Sequence, residues 1–333
     1  MTPSLEELFA ELATPGGPGI YSAVPIPAAS SYRLARAFEG YPTLLIDVAE
    51  IPGATSLVDL RGQHIIVHHG RRCEVRAPDA VPFVGTFSLI CCVSDEAALQ
   101  GYFLDFLYTL VRMLGERPTA EIISESMNHL LELFAALRQS PTTTAQGAWT
   151  ELLLIAEAQN PAAMAAAWHT SPTETYDFNA GAQRIEAKSS SRGIRRHHFT
   201  FDQLTPPEGV ELLIASVLVE RTGGGASIRD LLQRIRTTLA ANPGLLQHVE
   251  ATLAQTLGSA LLDAFDQSYD RELALDSLRF YRFDEVPRLT GPFPPGVSGV
   301  AFTSDLSSTT CLDSERMLSR GGLFMSAPRT GAS

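Results

Sequence analysis

Two carboxylates and a lysine lie close together in the middle of the chain. Asp177 precedes a turn at residues 179–182, and Glu186 and Lys188 lie two residues apart on the predicted strand that follows. The turn contains Asn and Gly, which tolerate positive φ. The sequence therefore predicts that Asp177 is folded back towards Glu186.

The two faces of this predicted strand have different characters. Successive side chains of a strand alternate between faces, so Glu186 and Lys188 point the same way while Ile185 and Ala187 point into the fold. Two carboxylates beside an ammonium group favour the binding of a hard divalent cation next to a positive charge. That combination is what the hydrolysis of a phosphodiester requires.

The motif formed by Asp177 and residues 186–188 resembles the PD-(D/E)XK signature of the restriction-endonuclease-like nuclease superfamily. Several further segments occur in one order and at compatible spacings, namely residues 147–153, 167–169, 176–178, 185–188, 202–204 and 285–288. Together they resemble a bacterial family of PD-(D/E)XK motif proteins found near restriction and defence genes. The match covers most of residues 140–310 and, more weakly, the N-terminal part. Tyr176 stands where the motif has its Pro, which is widely dispensable in the superfamily.

The resemblance implies a fold and a set of site residues. The expected fold class is α/β (α+β), with a restriction-endonuclease-like core of a mixed central sheet flanked by helices and a β-rich N-terminal domain. Asp177 and Glu186 would hold Mg²⁺ or Mn²⁺, and Glu151 on the first core helix would join them, although its pattern alone is that of an exposed helix glutamate. Lys188 would position the attacking water. Gln203 would orient that water, touch a phosphate or brace the loop.

The implied function is that of a metal-dependent endonuclease acting on DNA in a bacterial restriction or anti-phage defence system. A second hypothesis keeps the fold but makes the protein a silent or partner-dependent DNA-binding or scaffolding subunit, active with a helicase or methyltransferase partner. A third treats the Asp/Glu/Lys pattern as coincidental in a soluble α/β domain, since such a pattern arises by chance in many proteins. A homo-oligomer is possible under any of them.

Positive charge is concentrated next to the acidic motif although the net charge of the chain is −12. Between residues 184 and 198 there are five positive charges and one negative charge. We expect the arginines of this segment to contact a nucleic-acid backbone without recognising bases; they are Arg184, Arg192, Arg195 and Arg196. The competing interpretation is a basic, solvated surface loop.

Composition restricts the class of protein. A chain of 333 residues with 45% hydrophobic residues can bury a large core in about two domains. It has no apolar run of about 18 residues, so no membrane span is predicted. The acidic, amphipathic N-terminus argues against a secretory signal. The four cysteines lack framework spacing, which indicates reduced thiols and a cytoplasmic protein.

Hydrophobic periodicity divides the chain into predicted parts. These are a β-rich N-terminal domain at 1–115, a helical connection at 116–140, the nuclease-like core at 141–240, a helical and β extension at 241–312, and a loosely ordered tail at 313–333. Within them, residues 210–219 predict a strand buried on both faces.

Other residues that could do chemistry have simpler explanations. His64 and His68 lack a third ligand, so we interpret them as structural. The glycine run at 223–225 lacks the Lys and Ser/Thr of a phosphate-binding loop, which favours a flexible link ending in a Ser227 helix cap. Trp168 and His169 could contact a nucleic acid, but a Trp at this position more often caps a core. There is no G-x-S-x-G elbow for a serine hydrolase.

Overall fold

The chain forms two compact units, Met1–Gln139 and Ser140–Ser333. The computed structural model describes residues 4–27, 29–78, 80–171, 173–191 and 193–330, with the backbone alone at residue 30. No helix in these ranges combines the length and the hydrophobicity that a bilayer crossing requires.

The first unit is built on a six-stranded sheet with the strand order β1-β2-β3-β6-β5-β4. Its elements are α1 (Leu5–Glu11), β1 (Ile20–Ile26), β2 (Ala29–Arg36), β3 (Pro42–Asp47), β4 (Leu60–Arg61), β5 (Ile65–Arg76), β6 (Phe83–Cys92), α2 (Ala97–Leu114) and α3 (Ala120–Ala136). β1 also pairs in parallel with β5, so the sheet closes on itself through this pair of strands. The β-rich N-terminal region is thus confirmed. The helix predicted as a connection is α3, which lies inside this unit.

The second unit contains the residues predicted to do chemistry. Its first half consists of α4 (Ala145–Ala156), α5 (Pro161–Ala167), β7 (Phe178–Ala180), β8 (Gln183–Ser190), β9 (Arg196–Thr200), β10 (Glu211–Leu218), β11 (Arg221–Ser227) and α6 (Ile228–Thr238). Its second half consists of α7 (Pro243–Leu257), α8 (Leu261–Phe265), β12 (Ser268–Tyr269), α9 (Arg271–Ser277), β13 (Arg279–Arg282), β14 (Ala301–Asp305), α10 (Ser314–Leu318) and α11 (Gly322–Ser326).

The central sheet of the second unit is mixed, as predicted, with the order β13-β10-β8-β7. β10 is parallel to β8, while β7 and β13 pair antiparallel with their neighbours. Six consecutive residues of β10, 212–217, are buried, which suits a strand covered on both faces. In the register of the sheet, Glu186 and Lys188 of β8 lie beside Ile214 and Ser216 of β10.

The glycine run at 223–225 is part of strand β11. The prediction of a flexible link at these residues is therefore wrong. β11 pairs with β12, and a Cβ atom on Gly225 would lie 2.1 Å from the carbonyl oxygen of Tyr269. Gly225 therefore allows the two backbones to approach each other closely. The predicted Ser227 cap is confirmed: its side chain accepts a hydrogen bond from the Asp230 N–H in a capping box that begins α6.

The C-terminal part of the chain is more tightly integrated than its composition predicts. β13 completes the central sheet, although we predicted it in a separate extension. In the predicted helical and β extension, α7 ends at Leu257 and is followed by Gly258, where φ is +48°. The described part of the predicted tail is not loose, because Leu323 and Phe324 are buried and the Leu323 N–H donates to Gln183 Oε1 over 2.8 Å.

Candidate active site

Asp177 lies immediately before the hairpin that joins β7 to β8. The hairpin turns at Gly181, whose φ of +54° is the left-handed conformation that glycine adopts without strain. Asp177 Oδ2 accepts a hydrogen bond of 2.7 Å from the backbone N–H of Ala187. The turn therefore folds the Asp177 carboxylate back against β8, as its sequence predicts.

Glu186, Lys188 and Gln203 form one hydrogen-bonded group. Glu186 Oε1 lies 2.7 Å from Lys188 Nζ and accepts a hydrogen bond of 2.5 Å from Gln203 Nε2. Lys188 Nζ also donates to Gln203 Oε1 over 3.2 Å. Gln203 is carried by the 3-10 turn Asp202–Leu204 after β9, and its Oε1 accepts a further hydrogen bond from the Thr200 N–H. The Gln203 amide thus holds the Glu186 and Lys188 side chains in a fixed relation.

Two carboxyl groups, the half-buried Asp177 and the buried Glu186, lie close together at this end of the sheet. Burial, with the nearby carboxylates of Glu186 and Glu151, raises the pKa of Asp177 well above its usual range. Burial also raises the pKa of Glu186, despite the opposing effect of the Lys188 ammonium group. A bound cation would offset both effects, because it favours the ionised carboxylates.

Lys188 remains positively charged in this setting. Its Nζ lies 5.2 Å from the ring centroid of Phe199. Burial lowers the pKa of Lys188, but attraction to Glu186 and Asp177 outweighs that effect and the net change is upward. The site therefore holds a permanent cation beside two carboxyl groups.

Glu151 is buried in α4 and is not the exposed glutamate that its local pattern favours. Only 6% of the residue is exposed, and its Oε2 accepts a hydrogen bond of 2.7 Å from Trp168 Nε1. Residues 148–155 of α4 are all buried, so no face of this stretch is left for a solvated carboxylate. A carboxylate buried in this way requires a hydrogen-bonding or charged partner.

His169 is a residue of this site that no sequence motif marks as a ligand. Its Nε2 lies 3.5 Å from Glu151 Oε2. The ring is buried and meets the Trp168 indole edge to face, with 5.6 Å between the centroids. The only signal in the sequence is its position after Trp168 and shortly before the acidic strand.

The side chains of Glu151, His169 and Asp177 form the candidate metal centre. One ligand atom from each lies within 4.8 Å of the other two. Close by in the site, Glu186 Oε2 is buried and has no hydrogen-bond partner within the described ranges. Carboxylate oxygens and imidazole nitrogens both bind divalent cations. These residues therefore fit a divalent metal ion.

The four predicted arginines lie in different environments. Arg196 is exposed on the wall of the site and lies 3.3 Å from Asp305. The Arg195 guanidinium instead donates to the Ser216 carbonyl and hydroxyl over 2.9 Å and to the Ser277 carbonyl. Arg184 donates to backbone carbonyls of its own hairpin. Arg192 lies outside the described residues.

The residues of the candidate metal centre line a pocket of about 720 Å³. Asp177, Glu186 and Lys188 line it together with Glu151 and His169. The surrounding rim is polar and includes Thr143, Thr144, Gln146, Ser189, Arg196 and His198. The carboxylates, the lysine and Arg196 therefore line one pocket.

Comparison with known proteins identifies the family of the chain. A family model described as "Putative PD-(D/E)XK family member, (DUF4420)" matches residues 5–307. No curated protein and no solved structure matches the chain. The family match spans both units and includes every described residue of the candidate site. The chain belongs to this PD-(D/E)XK family.

Proposed function

We propose that the protein is a metal-dependent endonuclease that hydrolyses phosphodiester bonds of DNA. The observation that carries the proposal is the grouping of Asp177, Glu186 and Lys188 around one accessible pocket. Membership of a nuclease-fold family supports the same chemistry. A reaction on DNA also agrees with the exposed Arg196 on the wall of the pocket.

Asp177, Glu186 and Glu151 would hold Mg²⁺ or Mn²⁺. The buried Glu186 Oε2, with no partner in the described ranges, and the raised pKa of Asp177 both support a cation at this position. When bound, such an ion polarises the phosphate and lowers the pKa of a coordinated water.

Lys188 would stabilise the reacting phosphate, and Gln203 would hold Lys188 in position. The Lys188 ammonium can donate a hydrogen bond to a phosphate oxygen as negative charge develops on it. Its position is determined by Glu186 Oε1 at 2.7 Å and Gln203 Oε1 at 3.2 Å. Because these partners are already in place, little reorganisation is needed during the reaction.

A second candidate function is a subunit that needs a partner to engage DNA. A net charge of −12 opposes independent binding to a polyanion. Of the three predicted arginines that the structure describes, only Arg196 lines the pocket. A helicase or methyltransferase partner in a bacterial restriction or defence system would supply the missing positive surface.

The direct test is cleavage of supercoiled plasmid and of single-stranded DNA with Mg²⁺, with Mn²⁺ and with EDTA. We expect metal-dependent cleavage by the wild type and a loss of at least about 100-fold in Asp177→Asn and Lys188→Ala. Asp202→Asn is the matched control, because its carboxyl group is exposed beside the same site.

The possible results separate the hypotheses. Cleavage that survives in both Asp177→Asn and Lys188→Ala would overturn the assignment of these residues. A wild type that binds metal but does not cut would favour the partner-dependent subunit.

A further inference from the structure

We propose that His169 is a metal ligand, acting with Glu151 and Asp177, and that its nitrogen makes the site prefer Mn²⁺ to Mg²⁺. This inference rests on the metal site of the proposed function and concerns which ion that site selects. All three residues lie in the second unit.

The distance between His169 and Glu151 is the first argument. His169 Nε2 and Glu151 Oε2 are 3.5 Å apart, which is too long for a strong hydrogen bond between an imidazole and a carboxylate. Nitrogen and oxygen ligands bond a transition metal at about 2.0–2.2 Å, so two neighbouring ligands of one ion lie about 3.0–3.5 Å apart. The observed separation matches a shared ion.

The backbone around His169 holds the ring beside Asp177. The His169 N–H donates to the Asp177 carbonyl over 2.9 Å, and the His169 carbonyl accepts from Thr252 Oγ1 over 3.2 Å. The residues next to this pair, Trp168 and Phe178, form an antiparallel β-bridge. His169 and Asp177 are therefore held next to each other although they are eight positions apart in the sequence.

A purely structural histidine would satisfy both ring nitrogens. His169 is 7% exposed, and its Nδ1 is buried with no hydrogen-bond partner in the described part of the chain. Buried polar atoms normally have partners, so hydrogen bonding does not account for the burial of this ring. Ligation of a cation through Nε2 would account for an imidazole buried beside the carboxyl groups, and it leaves Nδ1 without a protein partner in the described residues.

The ligand type determines the preference between ions. Mg²⁺ favours oxygen ligands and retains several waters. Imidazole suits first-row transition metals, with Mn²⁺ the weakest binder of that series. A site that adds one imidazole to its carboxylates therefore gains more affinity for Mn²⁺ than for Mg²⁺ from its nitrogen.

The experiment measures binding rather than cleavage. Titration calorimetry with Mn²⁺ and with Mg²⁺ gives the affinities, and electron spin echo envelope modulation of bound Mn²⁺ detects a directly coordinated ¹⁴N nucleus. The variants are His169→Phe, which keeps a ring against Trp168, and His169→Asp, which replaces the nitrogen ligand by oxygen. His198→Gln is the control, since His198 is an exposed histidine of the same pocket.

We expect a ¹⁴N signal in the wild type and in His198→Gln, and none in the His169 variants. The Mn²⁺ affinity of His169→Phe should fall at least about 10-fold, whereas its Mg²⁺ affinity should change less than about 3-fold. His169→Asp should bind both ions with little preference. It also keeps the test decisive if the Phe variant does not fold.

A wild-type Mn²⁺ complex without ¹⁴N coupling, or with coupling that persists without His169, would overturn this inference alone. DNA cleavage by that protein would leave the proposed nuclease function intact. A wild type with the ¹⁴N signal but no cleavage would support His169 and count against the nuclease. A wild type that binds neither ion would overturn both.

Discussion

Asp177 Oδ2 accepts a hydrogen bond of 2.7 Å from the backbone N–H of Ala187. This bond fastens the carboxylate of one strand end to the middle of the neighbouring strand. Because the N–H belongs to the residue between the two functional side chains of β8, the bond also sets their positions relative to Asp177. The arrangement brings the half-buried Asp177 carboxylate close to the buried carboxylates of Glu186 and Glu151, which lowers the stability of the metal-free protein.

Asp177→Asn should stabilise the metal-free protein at neutral pH. The pKa of Asp177 is raised on folding, so its contribution to stability is fully present below the unfolded pKa and is lost as the pH rises through the raised value. An uncharged Asn avoids this loss, and we expect a gain of about 1 kcal/mol at pH 7 in EDTA. Urea unfolding at pH 7 and at pH 4 measures it.

The gain should shrink at pH 4, and added Mn²⁺ should stabilise the wild type more than the variant. Asp202→Asn should behave like the wild type throughout. An Asp177→Asn protein that is less stable than the wild type in EDTA at pH 7 would show that repulsion does not dominate at this site.

Gln203→Ala should slow cleavage without weakening metal binding. Its amide contacts Glu186 Oε1 and Lys188 Nζ, so its loss leaves the lysine less well positioned. We expect kcat to fall by about 10- to 100-fold at saturating metal. Single-turnover cleavage measures the rate, and calorimetry checks the metal affinity. An unchanged cleavage rate would mean that Gln203 only stabilises its loop.

Substitutions of the neighbouring residues Arg196 and Arg195 should have different effects, the first on DNA binding and the second on stability. Arg196→Ala removes an exposed cation at the pocket, so DNA affinity should fall and the slope of log K against log salt should decrease by about 1. Arg195→Ala removes hydrogen bonds to Ser216 and Ser277, so it should lower the free energy of unfolding by about 2 kcal/mol. Fluorescence anisotropy at several salt concentrations and urea unfolding separate the two effects.

The reverse result, a folding defect in Arg196→Ala and a binding defect alone in Arg195→Ala, would contradict this division. We expect Arg184→Ala to have an effect on stability smaller than that of Arg195→Ala, because the Arg184 guanidinium donates only to carbonyls of its own turn.

Gly225→Ala should destabilise the second unit, whereas Gly223→Ala should not. A Cβ atom at Gly225 would lie 2.1 Å from the Tyr269 carbonyl oxygen, but at Gly223 it would meet no atom within 4 Å. Separating β11 from β12 should cost about 2–3 kcal/mol. The two midpoints of thermal unfolding provide the comparison, and equal midpoints would mean that β11 and β12 do not approach this closely.

His197 should make the protein sensitive to mild acid. It is 2% exposed and its Nε2 lies 2.7 Å from Ser216 Oγ. Burial, aided by Lys188 and Arg195, lowers the pKa of His197 from 6.5 to about 4. A neutral buried histidine contributes stability above pH 6.5 that is lost as the pH falls towards 4, and the full loss is about 3 kcal/mol.

His197→Gln should be somewhat less stable than the wild type at pH 7 but should lose less between pH 6.5 and 4.5. The adjacent exposed histidine provides the control, since His198→Gln should follow the wild-type pH dependence. Parallel curves for all three proteins would mean that His197 is not buried in the neutral form.

The local geometry of the site could be predicted from the sequence. Asp177, Glu186 and Lys188 lie within twelve residues. Turn propensity and the alternation of side chains along a strand act over that range, so they predict which groups meet. The same short-range rules predicted β10 from its apolar run and the Ser227 cap from its side chain.

Only the tertiary structure decided which distant residues join that hairpin and which leave it. Glu151 was indicated only by the family resemblance and His169 by no motif, and the hydrogen bonds of Arg195 reach Ser277, 82 residues away. Likewise Gly225 needs no side chain because β12, more than forty residues later, passes against it. Contacts of this kind depend on how whole elements pack, and no local pattern of residue types encodes them.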